Sequence, residues 1–274
     1  MPSLPIASYR VAATPGQAVR LRRAAGKKGA YLAGGTRLFG VERRDRLELV
    51  DVTRLRLDRI EVKGKSVSIG ATVTLSELER HPALGKLAGG LLARVGEAGS
   101  WMTRNAATVG GLVGDGAPDI DLLPALLVLD TVVRWRDKSL RRQPLAGFLR
   151  KRRPEALILA LEIPRPGFER GAFERLGRTA TDVALVSVAV ASRLERGRVV
   201  AARIAVGGVR PGPRRLPRAE ALLQRQIPDP ALRERVAAEA SREAGLASDH
   251  RASGAYRKEL VEVLTRRALD RALA

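Results

Sequence analysis

Two glycine pairs carry the clearest chemical consequence in this chain of 274 residues. Ala33-Gly34-Gly35-Thr36 follows the run Gly29-Ala30-Tyr31-Leu32, and Thr108-Val109-Gly110-Gly111 follows Arg104-Asn105-Ala106-Ala107. Consecutive residues without Cβ after a short apolar segment let backbone N–H groups converge on an anion such as a pyrophosphate. Two such turns, each with a threonine hydroxyl beside it, point to a dinucleotide held from both sides. Either one taken alone also fits an ordinary tight turn after a strand.

Other chemistry is scarce. The chain has no cysteine, which removes disulfides, thiolate catalysis, iron–sulfur ligation and the common structural zinc sites. Its two histidines, His81 and His250, are too far apart in sequence to read as a metal pair, and both fit surface or capping roles. No catalytic nucleophile and no metal site is expected, so a redox role must use a bound organic cofactor.

Lys and Arg outnumber Asp and Glu by 50 to 29, a formal charge of +21. Such an excess favours phosphate-bearing partners. The basic residues, however, occur in short scattered groups: Arg43, Arg44 and Arg46; Arg134, Arg136 and Lys138; Arg141 and Arg142; Arg150 to Arg153; Arg214 and Arg215. Aromatic residues make up only 3% and do not interleave with them as stacking platforms would. Solvated faces, or docking on an acidic partner subunit, explain the charge better than nucleic acid does. There is no run of eighteen apolar residues and no apolar signal-peptide core in the first thirty, which points to the cytosol and to no membrane span.

The elements that must position the glycine pairs follow from patterning. Thr14-Pro15 reads as an N-cap with a first-turn proline for a helix ending at Gly26, Ala30 to Ala33 as a buried strand, and Leu47 to Val52 as another. Alternation at Ile60, Val62, Val67 and Ile69 predicts a hairpin around Gly64, and Thr74 with Glu77 forms a capping-box pattern. A helix is expected over about 84–98, then a buried helix over 119–127 entered through the acidic residues Asp119 and Asp121. Strands are expected over 132–135, 155–163, 182–192 and 198–206, and helices over 218–225, 230–244 and 254–272. Pro164-Arg165-Pro166-Gly167 marks a boundary.

The glycine-pair segments, together with Ala117-Pro118-Asp119-Ile120-Asp121-Leu122-Leu123-Pro124, resemble the FAD-binding subunit of the molybdenum hydroxylases. That family includes the medium subunit of aerobic carbon monoxide dehydrogenase and the flavin domain of xanthine dehydrogenase. The resemblance continues in order through Arg175-Leu176-Gly177-Arg178 with Asp182-Val183-Ala184, then Val206-Gly207-Gly208-Val209 with Pro213-Arg214-Arg215. It ends with Ser248-Asp249-His250-Arg251-Ala252-Ser253 and Tyr256-Arg257.

The resemblance implies an α+β chain with a two-lobed FAD-binding domain of the vanillyl-alcohol-oxidase-like type. Residues 1–54 would form a small α/β lobe and 55–167 a larger mixed or antiparallel lobe. Residues 168–274 would form a C-terminal α+β domain with a short antiparallel sheet and a helical bundle. It also implies an electron carrier between the two iron–sulfur clusters of a small subunit, fed by a large molybdopterin subunit, and an acceptor such as NAD, a quinone or oxygen. Dimers of heterotrimers are the expected assembly.

By the same resemblance, Leu32, Ala33, Gly34, Gly35, Thr36, Arg37 and Leu38 would wrap one side of the FAD pyrophosphate. Thr108, Val109, Gly110, Gly111 and Leu112 would close the other, with backbone amides as donors on both sides. Asp121 would hold a ribose hydroxyl, although a helix-terminus carboxylate bonding its own amides fits equally. Ile158 and Val183 would lie near the flavin ring, or else in the core. Three residues depart from the family pattern: Leu112 where Asn or Ser is common, Ala117 where Ser is common, and Arg37 where an acidic or polar residue is common. Arg37 adds positive charge beside a pyrophosphate. The departures leave room for two other readings, a member that has lost FAD and serves in assembly, and a basic nucleic-acid-binding protein.

Overall fold

The first sheet is parallel, and the chain builds it with the fewest residues. The computed structural model describes residues 6–39, 46–151, 153–165, 167–245 and 247–274. Arg43, Arg44, Arg152 and Pro166, singled out above, lie outside them. Strand β1 (Ile6–Val11) leads through Thr14 into helix α1 (Pro15–Ala24), whose first turn is capped by the Thr14 hydroxyl accepting from the Gln17 N–H. Strand β2 (Gly29–Leu32) and strand β3 (Leu47–Asp51) complete the sheet in the order β1-β3-β2. Sequence patterning missed β1 because its residues are nearly all exposed, so no alternation marks it; pairing with β3 makes it a strand. Residue 33 falls outside β2, and Ala30 to Leu32 are half-buried rather than buried, because β2 borders a cleft.

The hairpin of strand β4 (Ile60–Lys63) and strand β5 (Ser66–Gly70) opens a five-stranded antiparallel sheet. Helix α2 (Leu75–Arg80) follows, with the Thr74–Glu77 capping box formed in both directions. The single helix expected over 84–98 is instead two, α3 (Pro82–Lys86) and α4 (Leu91–Gly96). Ala88, Gly89 and Gly90 between them all have positive φ. The break lets this segment lie against the Gly171 backbone, where a Cβ on Gly171 would sit 2.6 Å from the Ala88 carbonyl oxygen.

Helices α5 (Trp101–Ala106), α6 (Val109–Asp115) and α7 (Leu122–Val128) come next. All seven residues of α7 are buried. Asp119 and Asp121 do not cap it, contrary to expectation, since no side chain bonds its first turn. Strands β6 (Val132–Arg136) and β7 (Leu140–Pro144), helix α8 (Leu145–Leu149) and strand β8 (Leu157–Pro164) finish the sheet in the order β4-β5-β8-β6-β7.

Strands β9 (Arg170–Leu176), β10 (Val186–Glu195), β11 (Arg198–Gly207) and β12 (Arg214–Arg215) make an antiparallel sheet ordered β12-β11-β10-β9. β10 begins four residues later than the pattern indicated, because 182–185 form a loop. Its near-continuous apolar run is explained by burial on both faces. Val186, Val188 and Val190 face helices α9 (Pro217–Leu223), α10 (Pro230–Glu243) and α11 (Gly254–Ala272), whereas Ala189 and Ala191 join the core built around α7. No helix among the described residues is long and apolar enough to cross a membrane.

Arg257 fastens α11 to this sheet. Buried at 3% exposure, it donates from Nη1 to the Leu185 and Gly208 carbonyls and from Nη2 to Asp249 at 2.7 Å. The Asp249 carboxylate also accepts the Arg251 and Ala252 N–H groups. The Arg251 amide leads in holding the Asp249 pKa down to about 2; slight burial opposes it, and Arg257 and the Ala252 amide add to it. Removing Arg257 leaves two carbonyls and a carboxylate without their donor, so Arg257→Met should cost about 3 kcal/mol in urea unfolding. A depressed native pKa stabilises above the unfolded value of 3.8 and is lost as the pH falls toward 2. The urea midpoint of Asp249→Asn should therefore fall less than that of the natural chain across that window. Equal acid slopes in the two chains would remove Asp249 as a titrating contributor.

Candidate functional site

A cleft of about 690 Å³ opens between the parallel sheet and the five-stranded sheet, within the usual size range of small-molecule sites. One rim is the turn after β2. Gly35 there has φ +70°, a conformation that side chains with Cβ disfavour. Gly34 is required for a different reason, since a Cβ on it would fall 1.5 Å from the Ala106 carbonyl oxygen. The first glycine pair is thus in backbone contact with the segment leading to the second. Apart from the Phe39 N–H donating to the Gly35 carbonyl, this turn makes little use of its own polar groups. Among the described residues, nothing accepts the N–H groups of Gly34, Gly35, Thr36, Arg37 or Leu38. Successive amides left open beside a cleft form an anion-binding concavity.

The second pair behaves otherwise. Gly110 and Gly111 lie in the first turn of α6, and their amides are already spent. The Val109 N–H donates to the Val73 carbonyl at 2.9 Å, the Gly110 N–H to the Ala71 carbonyl at 2.8 Å, and the Gly111 N–H to the Thr108 hydroxyl at 3.3 Å. The expectation that both rims present free amides is therefore corrected. Gly110 is glycine because a Cβ would sit 2.6 Å from that of Ala71, and the Thr108 hydroxyl caps its own helix. This rim is a firm backbone wall with its hydrogen bonds satisfied.

Ala33 to Leu38 all line the cleft, as do Thr108, Gly110, Gly111, Leu112 and Ile158. Leu32 does not line it although its neighbours Tyr31 and Ala33 do, and Val109 is core at 1% exposure. Leu112 is only 8% exposed and packs in the central core, so its apolar side chain does not fill the cleft. Asp121 and Val183 stand apart from it. Asp121 neither caps α7 nor reaches the cleft; its carboxylate accepts from Arg175 Nε at 2.8 Å, tying α7 to β9. Burial leads in raising the Asp121 pKa, with Arg175 opposing it. Val183 is 39% exposed in the loop before β10, its carbonyl accepting from Arg251.

Arg37 is not a free cation either. Its Nε lies 2.6 Å from Asp115 and its Nη2 3.1 Å from Asp119. Burial works against the Arg37 charge, but the two carboxylates outweigh it and hold the guanidinium pKa above its ordinary value. Open positive charge comes instead from Lys27 and from Lys151, one of the basic group at 150–153, which line the cleft; Arg22 lines it too but is buried, its Nη1 donating to the Gly26 carbonyl at 2.6 Å. Thr72 lines it too, and its buried Oγ1 lacks a partner among the described residues, as does the buried Arg22 Nε. Five open amides, an unpartnered hydroxyl and a cationic lining match the donor set that a pyrophosphate and ribose hydroxyls require. The residues fit FAD.

The comparisons with known proteins agree with this geometry. The family model for the FAD binding domain in molybdopterin dehydrogenase matches residues 5–166, and that for the CO dehydrogenase flavoprotein C-terminal domain matches residues 171–272. The putative xanthine dehydrogenase FAD-binding subunit XdhB of Escherichia coli K12 is 26% identical over 283 residues, covering 98% of this chain and 96% of that one. The nicotine 6-hydroxylase medium subunit of Paenarthrobacter nicotinovorans is 30% identical over 223 residues, 78% of this chain and 77% of its own. A carbon monoxide dehydrogenase structure from Hydrogenophaga pseudoflava superposes with a TM-score of 0.93 at 26% identity over 98% of both chains. With an amide-lined cleft, a family match over more than half its length and a second match over most of the rest, the chain belongs to the FAD-binding subunits of the molybdenum hydroxylases.

Proposed function

We propose that this chain is the electron outlet of a cytoplasmic molybdenum hydroxylase, receiving electrons from a small iron–sulfur subunit that a large molybdopterin subunit supplies. Residues 1–54 and 55–167 are the two lobes around the cofactor, and 168–274 the C-terminal domain. A dimer of such heterotrimers is the assembly. The chain has no cysteine and cannot hold the clusters itself, which supports a division of labour between subunits. Bound FAD supplies the redox chemistry, accepting electrons and handing them to NAD, a quinone or oxygen.

The observation that carries this reading is the row of amides from Gly34 to Leu38 that have no acceptor among the described residues and belong to residues lining the cleft. Those amides and Thr36 hold the pyrophosphate, and the α6 wall from Thr108 to Gly111 bounds it on the other side. Lys27 and Lys151 balance its charge. Thr72 offers a hydroxyl, and Ile158 limits water at the cleft floor. Asp121 acts at one remove by setting α7 against β9, because its carboxylate is committed to Arg175.

Two measurements test the reading. Purified with co-expressed partners, the chain should be yellow and carry one FAD; a folded, colourless complex that takes up no added FAD would overturn it. Gly34→Ala forces a Cβ against the Ala106 carbonyl and must separate the rims, so FAD affinity should fall at least about tenfold, or 1.4 kcal/mol. Gly85→Ala, in a helix and with no neighbour within 4 Å, is the control and should leave affinity unchanged. Equal affinity in Gly34→Ala and the control would show that the approach of the rims does not matter for binding.

A further inference from the structure

The ion cluster of Arg37 with Asp115 and Asp119 crosses the edge of the cleft from one rim to the other. Arg37 belongs to the open-amide turn. Asp115 is the last residue of α6, and Asp119 lies in the segment leading to α7. A carboxylate at a helix C-terminus is unfavourable toward the helix dipole, so Asp115 is poorly explained by α6 alone. Asp119 caps nothing in α7. Both are explained by Arg37, whose planar fork spends Nε on one and Nη2 on the other.

We infer that Arg37 is a positioning residue: an ionic strap that holds the open-amide turn against the end of α6, so that the cradle keeps its shape before and after the dinucleotide binds. The alternative, that Arg37 itself grips the pyrophosphate, meets two obstacles. Its fork is already occupied, and two carboxylates against one guanidinium leave a net negative charge beside any anion. In the strap those carboxylates are useful; in a direct grip they would weaken binding. Each partner is about one-third exposed, with side-chain exposures of 35%, 31% and 29%, so the strap is of moderate strength and sensitive to salt.

The inference rests on the FAD reading only where FAD is measured, and the test separates the two. Arg37→Gln, the pair Asp115→Asn with Asp119→Asn, and the triple variant are compared in the full chain. Without FAD, hydrogen exchange at the Phe39 amide, whose bond to the Gly35 carbonyl closes this turn, should quicken in all three. With FAD, release should quicken by roughly fivefold in Arg37→Gln and in the aspartate pair alike, and no further in the triple variant. If the aspartate variant releases FAD more slowly, or unchanged, while Arg37→Gln releases it faster, Arg37 grips the ligand and the strap is wrong. Unchanged exchange in every variant also overturns it. Should the natural chain take up no FAD, the function proposed above fails and the exchange result alone decides the strap. Arg37→Lys, which keeps the charge but loses the fork, carries the same test if Arg37→Gln does not fold, and should show the intermediate effect.

Discussion

The site depends on a contact that no side chain could allow. Gly34 meets the Ala106 carbonyl, and Gly110 meets Ala71, at separations where a Cβ would collide with backbone. The first contact sets how near the parallel sheet's turn comes to the helical layer of the second lobe. The second sets how deeply α6 sits against the loop after β5. Between them they fix the width of the cleft. The isolated bridge between Thr74 and Thr108, with the Leu75 N–H donating to the Ala107 carbonyl, continues the same seam. The parallel sheet and the five-stranded sheet therefore meet through the Gly34–Ala106 main-chain approach beside the cleft as well as through apolar packing of Leu57, Leu157 and Leu159 with Ala18, Val50 and Val52.

Around that seam, ion pairs reinforce contacts between elements that the hydrophobic cores already bring together. Asp121 joins α7 to β9 through Arg175, Asp130 joins the turn after α7 to Arg203 and Arg215 on the C-terminal sheet, and Glu174 joins β9 to Arg271 at the end of α11. Each uses a carboxylate in a chain where carboxylates are outnumbered. Exposed pairs of this kind contribute little individually. The buried Asp121–Arg175 pair matters more for orientation than for net stability, because losing one partner would strand the other. Much of the high positive charge is thus a population of arginines from which a limited set of acids selects partners.

The elements readable from the sequence were those with local signals. The capping box at Thr74, the Thr14-Pro15 start of α1 and the apolar stripe of α11 all appear as patterned. What local patterning missed was set at long range. β1 is a strand only because β3 pairs with it, and the 84–98 helix is broken because Gly89-Gly90 had to meet β9. The glycine pair itself was a legible warning of that break. Both glycine pairs line the cleft, but their different hydrogen bonding was not legible, since whether an amide of the second pair is free depends on Ala71 and Val73, some forty residues away. Thr72 and Lys27 carried no signal, because nothing in their own neighbourhoods distinguishes them from surface residues, and Lys151 was visible only as one of the basic group at 150–153.

The difference between the two rims has a thermodynamic consequence. At the α6 wall the backbone donors are satisfied within the protein, so the wall keeps its form whether or not a ligand is present. At the turn after β2 the amides of Gly34 to Leu38 have no acceptor among the described residues, and in the proposed site each bond to an anion would replace one to water. A ligand that binds only the native cradle stabilises the folded chain in proportion to its affinity and concentration. In the site proposed above, a rim of fixed shape faces a rim completed by its ligand: α6 would decide where a pyrophosphate lies, and the pyrophosphate would then secure the turn that Gly34 and Gly35 make possible.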